Sequence, residues 1–148
     1  MRLLLCFVFL AFFPAISHAA PDADLWPDWQ AHDFRMPQIA KFCGVPLRTL
    51  DGWLSTARAQ GHQPGVLIGR FRWLSCYHVL AVALLSKLAK TGMPITPTAI
   101  FSAFDFAAST PQPDAVWIVA DQDGARVIVD AWLAFVAVRG WAERIQND

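Results

Sequence analysis

Arginine is the side chain of this sequence that is best placed to bind a ligand, and four arginines lie near one another along the chain. They are Arg48, Arg58, Arg70 and Arg72. They belong to a segment, residues 34–92, that holds eight Arg and Lys residues against the single acidic residue Asp51. The flanking segments are acidic, with net charges of −3 for residues 1–33 and −4 for residues 93–148. A basic block of this length is typical of a protein that binds a polyanion, although a solvated surface that keeps the protein soluble fits the charge equally well.

The other reactive side chains do not form a catalytic or metal-binding pattern. Ser75, Cys76 and His78 put a hydroxyl, a thiol and an imidazole side by side in the chain. Adjacent residues of a helix do not face one another, so we do not expect a nucleophile and base there. The four histidines are scattered, and the sequence holds no CxxC or HExxH motif and no phosphate-binding glycine loop. We therefore predict no enzymatic activity, no metal site and no cofactor.

Residues 1–20 have the three-part pattern of a secretory signal peptide. Arg2 precedes an apolar run that ends in small residues, with cleavage expected at Ala19 or Ala20. The run is too short to cross a bilayer and Pro14 interrupts it, so we expect no stable membrane anchor. Residues 21–34 are expected to form a linker.

The length and composition indicate a globular protein. The chain has 148 residues, of which 55% are hydrophobic, so it can bury a core and is too apolar to be disordered. No run of about 18 apolar residues occurs, which excludes a polytopic membrane protein. Outside the signal-like segment, Cys43 and Cys76 either form one disulfide or are buried free thiols. We favour free thiols, because their spacing suggests neither a bridge nor a zinc site.

Two short helices joined by a glycine turn are predicted between residues 36 and 54. The apolar residues that recur at helical spacing are Met36, Ile39, Ala40 and Phe42, followed by Leu47, Leu50, Trp53 and Leu54. Gly44 is placed to end the first helix, and Pro46 to begin the second. This is the sequence form of a helix-turn-helix.

A strand region and two more helices are predicted next. In residues 70–73, arginines alternate with aromatic residues, which is the period of a half-buried strand or wing. Ser75 is suited to cap a helix that ends at Gly92, and Thr96 with Pro97 is suited to begin another.

The C-terminal residues predict a hairpin and one further element. Two β-branched runs, residues 116–119 and 126–129, flank an Asp-Gly turn, which is the pattern of a β-hairpin. Residues 131–138 are expected to form an apolar helix or strand, and Gly140 to begin a short polar tail. The hairpin either covers the core or mediates self-association.

In this order of elements, residues 35 to about 104 resemble the winged helix-turn-helix DNA-binding domain of MerR-type transcription regulators. The matching residues are Ile39-Ala40, Gly44-Val45, Arg48-Thr49-Leu50 and the run from Gly69 to Ser75. The resemblance covers about half of the chain. It implies a mostly α fold with small β elements (α+β), in which a winged helix-turn-helix over residues 35–110 is followed by a β-hairpin and short helix over residues 111–148.

The resemblance also implies which residues meet DNA. In that family the second helix enters the major groove and the wing grips the flanking backbone. Carried over by position, Arg48 and Thr49 approach base edges and phosphates, and Trp53 lies near the sugar-phosphate strand unless it is a core anchor. The whole expected DNA-binding set is Arg48, Thr49, Trp53, Arg58, Arg70 and Arg72, with Arg70 and Arg72 as phosphate contacts from the wing.

Two functional hypotheses follow. The first, which we favour, is a cytoplasmic transcription regulator that binds double-stranded DNA in a sequence-specific manner, its signal-like start being uncleaved or lying upstream of the true start codon. The second is an exported small helical protein that binds an acidic protein or ligand through the same arginines, since fold does not fix function.

Overall fold

The computed structural model of the protein describes residues 29–109, 111, 113–120, 124 and 126–147. The signal-like segment with its cleavage site at Ala19 and Ala20, residues 21–28 of the expected linker and residues 121–123 of the expected turn lie outside this part. The described chain is a mixed α+β protein with five helices and two small sheets, which confirms the predicted class. In chain order the elements are β1 (Phe34–Arg35), α1 (Met36–Cys43), α2 (Leu47–Ala59), β2 (Val66–Ile68), β3 (Phe71–Leu74), α3 (Cys76–Lys90), α4 (Pro97–Ala108), β4 (Val116–Ala120), β5 (Arg126–Asp130) and α5 (Ala131–Gln146).

The first two helices are joined by the glycine turn that the sequence predicts. Gly44 follows α1 in the left-handed conformation, with a φ of 64°, which glycine adopts without the cost that a Cβ imposes. The backbone N–H of Val45 donates to the carbonyl oxygen of Ala40 at 3.0 Å and closes the helix end. Pro46 is the N-cap residue of α2. Helix α2 therefore leaves α1 at a turn of two residues beyond the glycine.

The first sheet has the strand order β1-β3-β2, and both pairs are antiparallel. The β2–β3 hairpin turns at Gly69, which also has a positive φ, of 62°. Phe34 of β1 lies opposite Leu74 of β3, and both side chains are completely buried. The short strand before α1 thus fastens the hairpin to the core.

Helix α3 lies at the centre of the fold and contacts α1, α4 and α5. Ser75 is its N-cap residue, and the hydroxyl of Thr96 accepts from the N–H of Ala99 at 3.1 Å at the start of α4. Both predicted helix starts are confirmed. Cys43 and Cys76 are buried free thiols, as favoured from their spacing, and burial raises the pKa of Cys43 to about 12.

The C-terminal hairpin is confirmed, but the predicted short helix and polar tail are wrong. α5 runs for 16 residues and continues through Gly140. Trp141 is buried with ring centroids 4.8 Å from Phe34 and 4.7 Å from Phe42. The apolar face of residues 131–138 extends through Trp141 with helical spacing, so packing onto the core outweighs the roughly 1 kcal/mol that a helical glycine costs.

One hydrophobic core joins residues from Trp29 to Ala142. Trp29, in the segment expected to be a linker, packs against Phe135 with ring centroids 5.2 Å apart. Its Nε1 donates to the carbonyl oxygen of Ala107 at 3.3 Å. The described end of that segment is therefore part of the packed protein. Across the described ranges, none of the helices combines the length and the apolar character needed to cross a membrane.

Candidate functional site

The exposed side of α2 carries two arginines. α2 buries Leu50, Trp53, Leu54 and Ala57 against the core, which turns its opposite side towards solvent. Arg48 and Thr49 in the first turn and Arg58 in the last turn are all exposed. Neither arginine makes an ion pair or a hydrogen bond with another residue that the structure describes. Both guanidinium groups are therefore available to a ligand.

The β2–β3 hairpin carries the other two predicted arginines, on different sides. Arg70 is exposed directly after the Gly69 turn, with its guanidinium carbon 5.3 Å from the centroid of the Phe71 ring. Arg72 is half-buried, and its Nη1 donates to the carbonyl oxygen of Pro64 at 3.0 Å. This hydrogen bond holds the Arg72 side chain against the loop that precedes β2.

Electrostatics join α2 to the hairpin. Partial burial lowers the pKa of Arg72, repulsion from Arg58 lowers it further, and the carboxylate of Asp51 acts in the opposite direction. Arg58 and Arg72 also line one open depression of about 430 Å³, together with Gln63, Pro64, Gly65 and Leu67. Two neighbouring cations at one depression create a positive potential that an anion would relieve. We call the four side chains Arg48, Arg58, Arg70 and Arg72 the arginine surface.

Trp53 does not belong to this surface. Its side chain is only 9% exposed and is part of the hydrophobic core. Of the two expectations for this residue, the core anchor fits and the contact with a sugar-phosphate strand does not. The residue follows the apolar spacing of Leu50 and Leu54, and that spacing decides which side of α2 it occupies.

Arg35 is a further basic residue near the hairpin that sequence reasoning missed. Its guanidinium carbon lies 5.0 Å from the ring centroid of Phe71 and 4.8 Å from that of Trp73. The contact arises because β1 pairs with β3 and places Arg35 opposite Trp73. The alternation of aromatic residues in β3 is a sequence signal for such a stacking surface, but the pairing that brings Arg35 to it has none.

Ser75 and His78 come together, but as part of the fold rather than as a catalytic pair. The Ser75 hydroxyl lies 2.8 Å from Nδ1 of His78, and the Ser75 backbone N–H donates to the same nitrogen at 3.0 Å. The residues are three apart and meet across the first turn of α3, an approach that considering only adjacent residues missed. Both side chains are buried, at 0% and 1% exposed, so no substrate reaches them.

His78 connects α3 to the hairpin in its neutral form. With Nδ1 accepting, the ring proton is on Nε2, which faces the backbone of the Gln63–Gly65 loop. Burial lowers the pKa of His78 to about 3, with a smaller contribution from the nearby His32, while the hydrogen bond to the Gln63 backbone opposes the shift. The imidazole therefore stabilises the base of the hairpin that carries Arg70 and Arg72.

Within the ranges that the structure describes, no group of three or more His, Cys, Asp or Glu side chains is arranged to hold a metal ion. No protein-family model, no curated protein and no solved structure matches the chain.

Proposed function

We propose that the protein binds double-stranded DNA through the arginine surface, with α2 as the recognition helix and the β2–β3 hairpin as the wing of a MerR-like winged helix-turn-helix, and that it regulates transcription. The observation that carries the proposal is the pair of exposed, unpartnered arginines on α2 beside a hairpin that carries two more.

The charge of this surface supports a polyanionic ligand. Arg58 and Arg72 repel each other enough to affect the pKa of Arg72, which lowers the stability of the free protein. A phosphate between them would remove that repulsion and accept hydrogen bonds from both groups, and guanidinium matches phosphate geometry well. Duplex DNA offers phosphates at regular spacing, so several of these contacts form in one complex.

The two elements divide the work in a way that DNA recognition requires. Arg48 and Thr49 lie in the first turn of α2, the part of a recognition helix that contacts base edges in the major groove. Arg70 and Arg72 lie on the hairpin and contact phosphates of the flanking backbone, which sets the register of the helix. The contact of Arg72 with Pro64 positions its guanidinium before DNA arrives and reduces the entropy lost on binding.

Binding of labelled duplex DNA to single alanine variants tests this division. Arg58→Ala and Arg70→Ala should each weaken binding to every duplex by about 1 kcal/mol, roughly fivefold. Arg48→Ala should also change the base preference, measured by selection from a randomised duplex pool, at a cost of about 1–3 kcal/mol on the preferred site.

Arg144→Ala is the matched control, because it removes one exposed arginine from α5, away from the proposed interface. It should bind DNA as the unmodified chain does. If Arg48→Ala, Arg58→Ala and Arg70→Ala all keep the affinity of the Arg144→Ala control, the proposed interface is wrong. An acidic polypeptide that competes with duplex DNA at equal charge concentration would favour the hypothesis of an acidic protein partner instead.

A further inference from the structure

The C-terminal hairpin leaves one apolar face uncovered. Trp117, Val119 and Val129 point into the core, so the alternate residues of both strands point outward. Ile118 and Ile128 are direct cross-strand partners on this outer face and are 52% and 66% exposed. Monomeric proteins rarely leave paired β-branched residues exposed in this way, and such a face marks an interface.

Strand β5 also has an unpaired edge. In the described sheet it pairs only with β4. The N–H of Ala131 donates to the carbonyl oxygen of Ala115 at 3.0 Å, which fixes the alternation of the antiparallel ladder. Counting back from Ala131, Val129 and Val127 direct their backbone groups to β4. Arg126, Ile128 and Asp130 therefore direct theirs to the open edge, where a further strand can bind.

The residues on this edge are complementary to themselves. If two β5 strands pair antiparallel about a two-fold axis at Ile128, each Ile128 lies opposite the other. Arg126 of each copy then lies opposite Asp130 of the second copy, so two opposite-charge pairs flank one apolar pair. Each of the three side chains is exposed in the described chain. We propose that the protein forms a two-fold dimer by pairing of β5 with β5 of a second copy.

This register is preferred over its neighbours because of charge. Antiparallel pairing centred on Val127 would put Arg126 opposite Ile128 and leave the carboxylate of Asp130 without Arg126 as its partner. Pairing centred on Ile128 uses every outward backbone group of residues 126–130 and satisfies both charges. It also joins the two apolar outer faces into one four-stranded sheet. The second copy is therefore the occupant that the charges of β5 fit.

Charge exchange tests the register. Arg126→Asp places two carboxylates opposite each other at both ends of the interface, and Asp130→Arg places two guanidinium groups there, so each variant alone should be monomeric. An equimolar mixture of the two variants should form a heterodimer, because each Asp of one then faces an Arg of the other. Sedimentation velocity at about 1–100 µM, with one variant fluorescently labelled, distinguishes these states.

A second pair of variants separates a failure of folding from a failure of association. The Asp130 carboxylate accepts from the N–H of Leu133 at 2.8 Å and caps α5, so the fold of Asp130→Arg is checked by circular dichroism. Ile128→Lys keeps that cap and should abolish the dimer. Leu67→Lys, at a strand residue of the other hairpin that is 65% exposed, is the matched control and should keep the dimer. A monomeric unmodified chain, a dimeric Ile128→Lys variant, or a folded variant mixture without heterodimer would each overturn the proposal.

Discussion

Replacing His78 with glutamine should remove a large part of the loss of stability that the protein suffers in acid. In the folded chain the imidazole is 1% exposed, with its pKa lowered to about 3, whereas the ordinary pKa of histidine is about 6.5. The unfolded chain therefore binds a proton below pH 6.5 that the folded chain refuses until about pH 3. The stability that neutral His78 contributes is complete above pH 6.5 and is lost as the pH falls from there towards 3.

The two pKa values set the size of the effect. Between pH 8 and pH 5, proton binding to the unfolded His78 lowers the free energy of unfolding by about 2 kcal/mol. Glutamine does not titrate, and its side-chain oxygen can accept from the Ser75 N–H in place of Nδ1, as glutamine does in a capping box. His78→Gln should therefore show a difference between the two pH values that is about 2 kcal/mol smaller than that of the unmodified chain.

Urea unfolding at pH 8 and pH 5, followed by tryptophan fluorescence and extrapolated to water, measures this difference. Comparing the two chains cancels the contribution of carboxylates, which both chains share. His62→Gln leaves His78 in place and serves as a control that should retain the acid loss. An equal pH difference for His78→Gln and the unmodified chain would refute the assignment of a buried neutral imidazole at the base of the hairpin.

Three further substitutions test the packing that positions the arginine surface, each by urea unfolding. Gly52→Ala on the exposed side of α2 should raise the free energy of unfolding by about 1 kcal/mol, because a Cβ there meets open space and alanine favours helix; an unchanged value would argue that α2 is frayed. Gly65→Ala should lower it by about 2–4 kcal/mol, because φ is 77° and a Cβ would overlap the carbonyl oxygen of Trp73; a neutral effect would mean that this turn has another conformation. Trp141→Ala should cost about 3–5 kcal/mol if α5 is part of the core, and less than about 1 kcal/mol if residues after Gly140 form an exposed tail.

The helices were predictable where a chemical signal marks their ends. Gly44 ends α1, Ser75 caps α3 and Thr96 caps α4, each because of a local property that the residue type carries by itself. The apolar spacing on α2 likewise predicts the exposed position of Arg48. Local signals failed at α5, because Gly140 weakens a helix but tertiary contacts of Trp141 decide the outcome.

The geometry of the arginine surface was only partly predictable. The alternation in residues 70–73 indicates a strand, but two-residue β1 has no period, so nothing in the sequence predicts that Arg35 stacks on Phe71 and Trp73. The proximity of Arg58 to Arg72 also depends on how α2 docks against the hairpin, a long-range arrangement. The burial of Trp53 was open from the sequence, because an aromatic residue on an amphipathic helix is suited to either side.

Binding of duplex DNA as a function of salt concentration tests the central claim most directly. If the arginine surface and neighbouring groups make about five phosphate contacts, the logarithm of the association constant should fall with the logarithm of salt concentration with a slope of about −4 to −5. Arg70→Ala should make that slope shallower by about one unit, and Arg144→Ala should leave it unchanged. A slope near zero, or one that Arg70→Ala does not change, would contradict DNA binding through this surface.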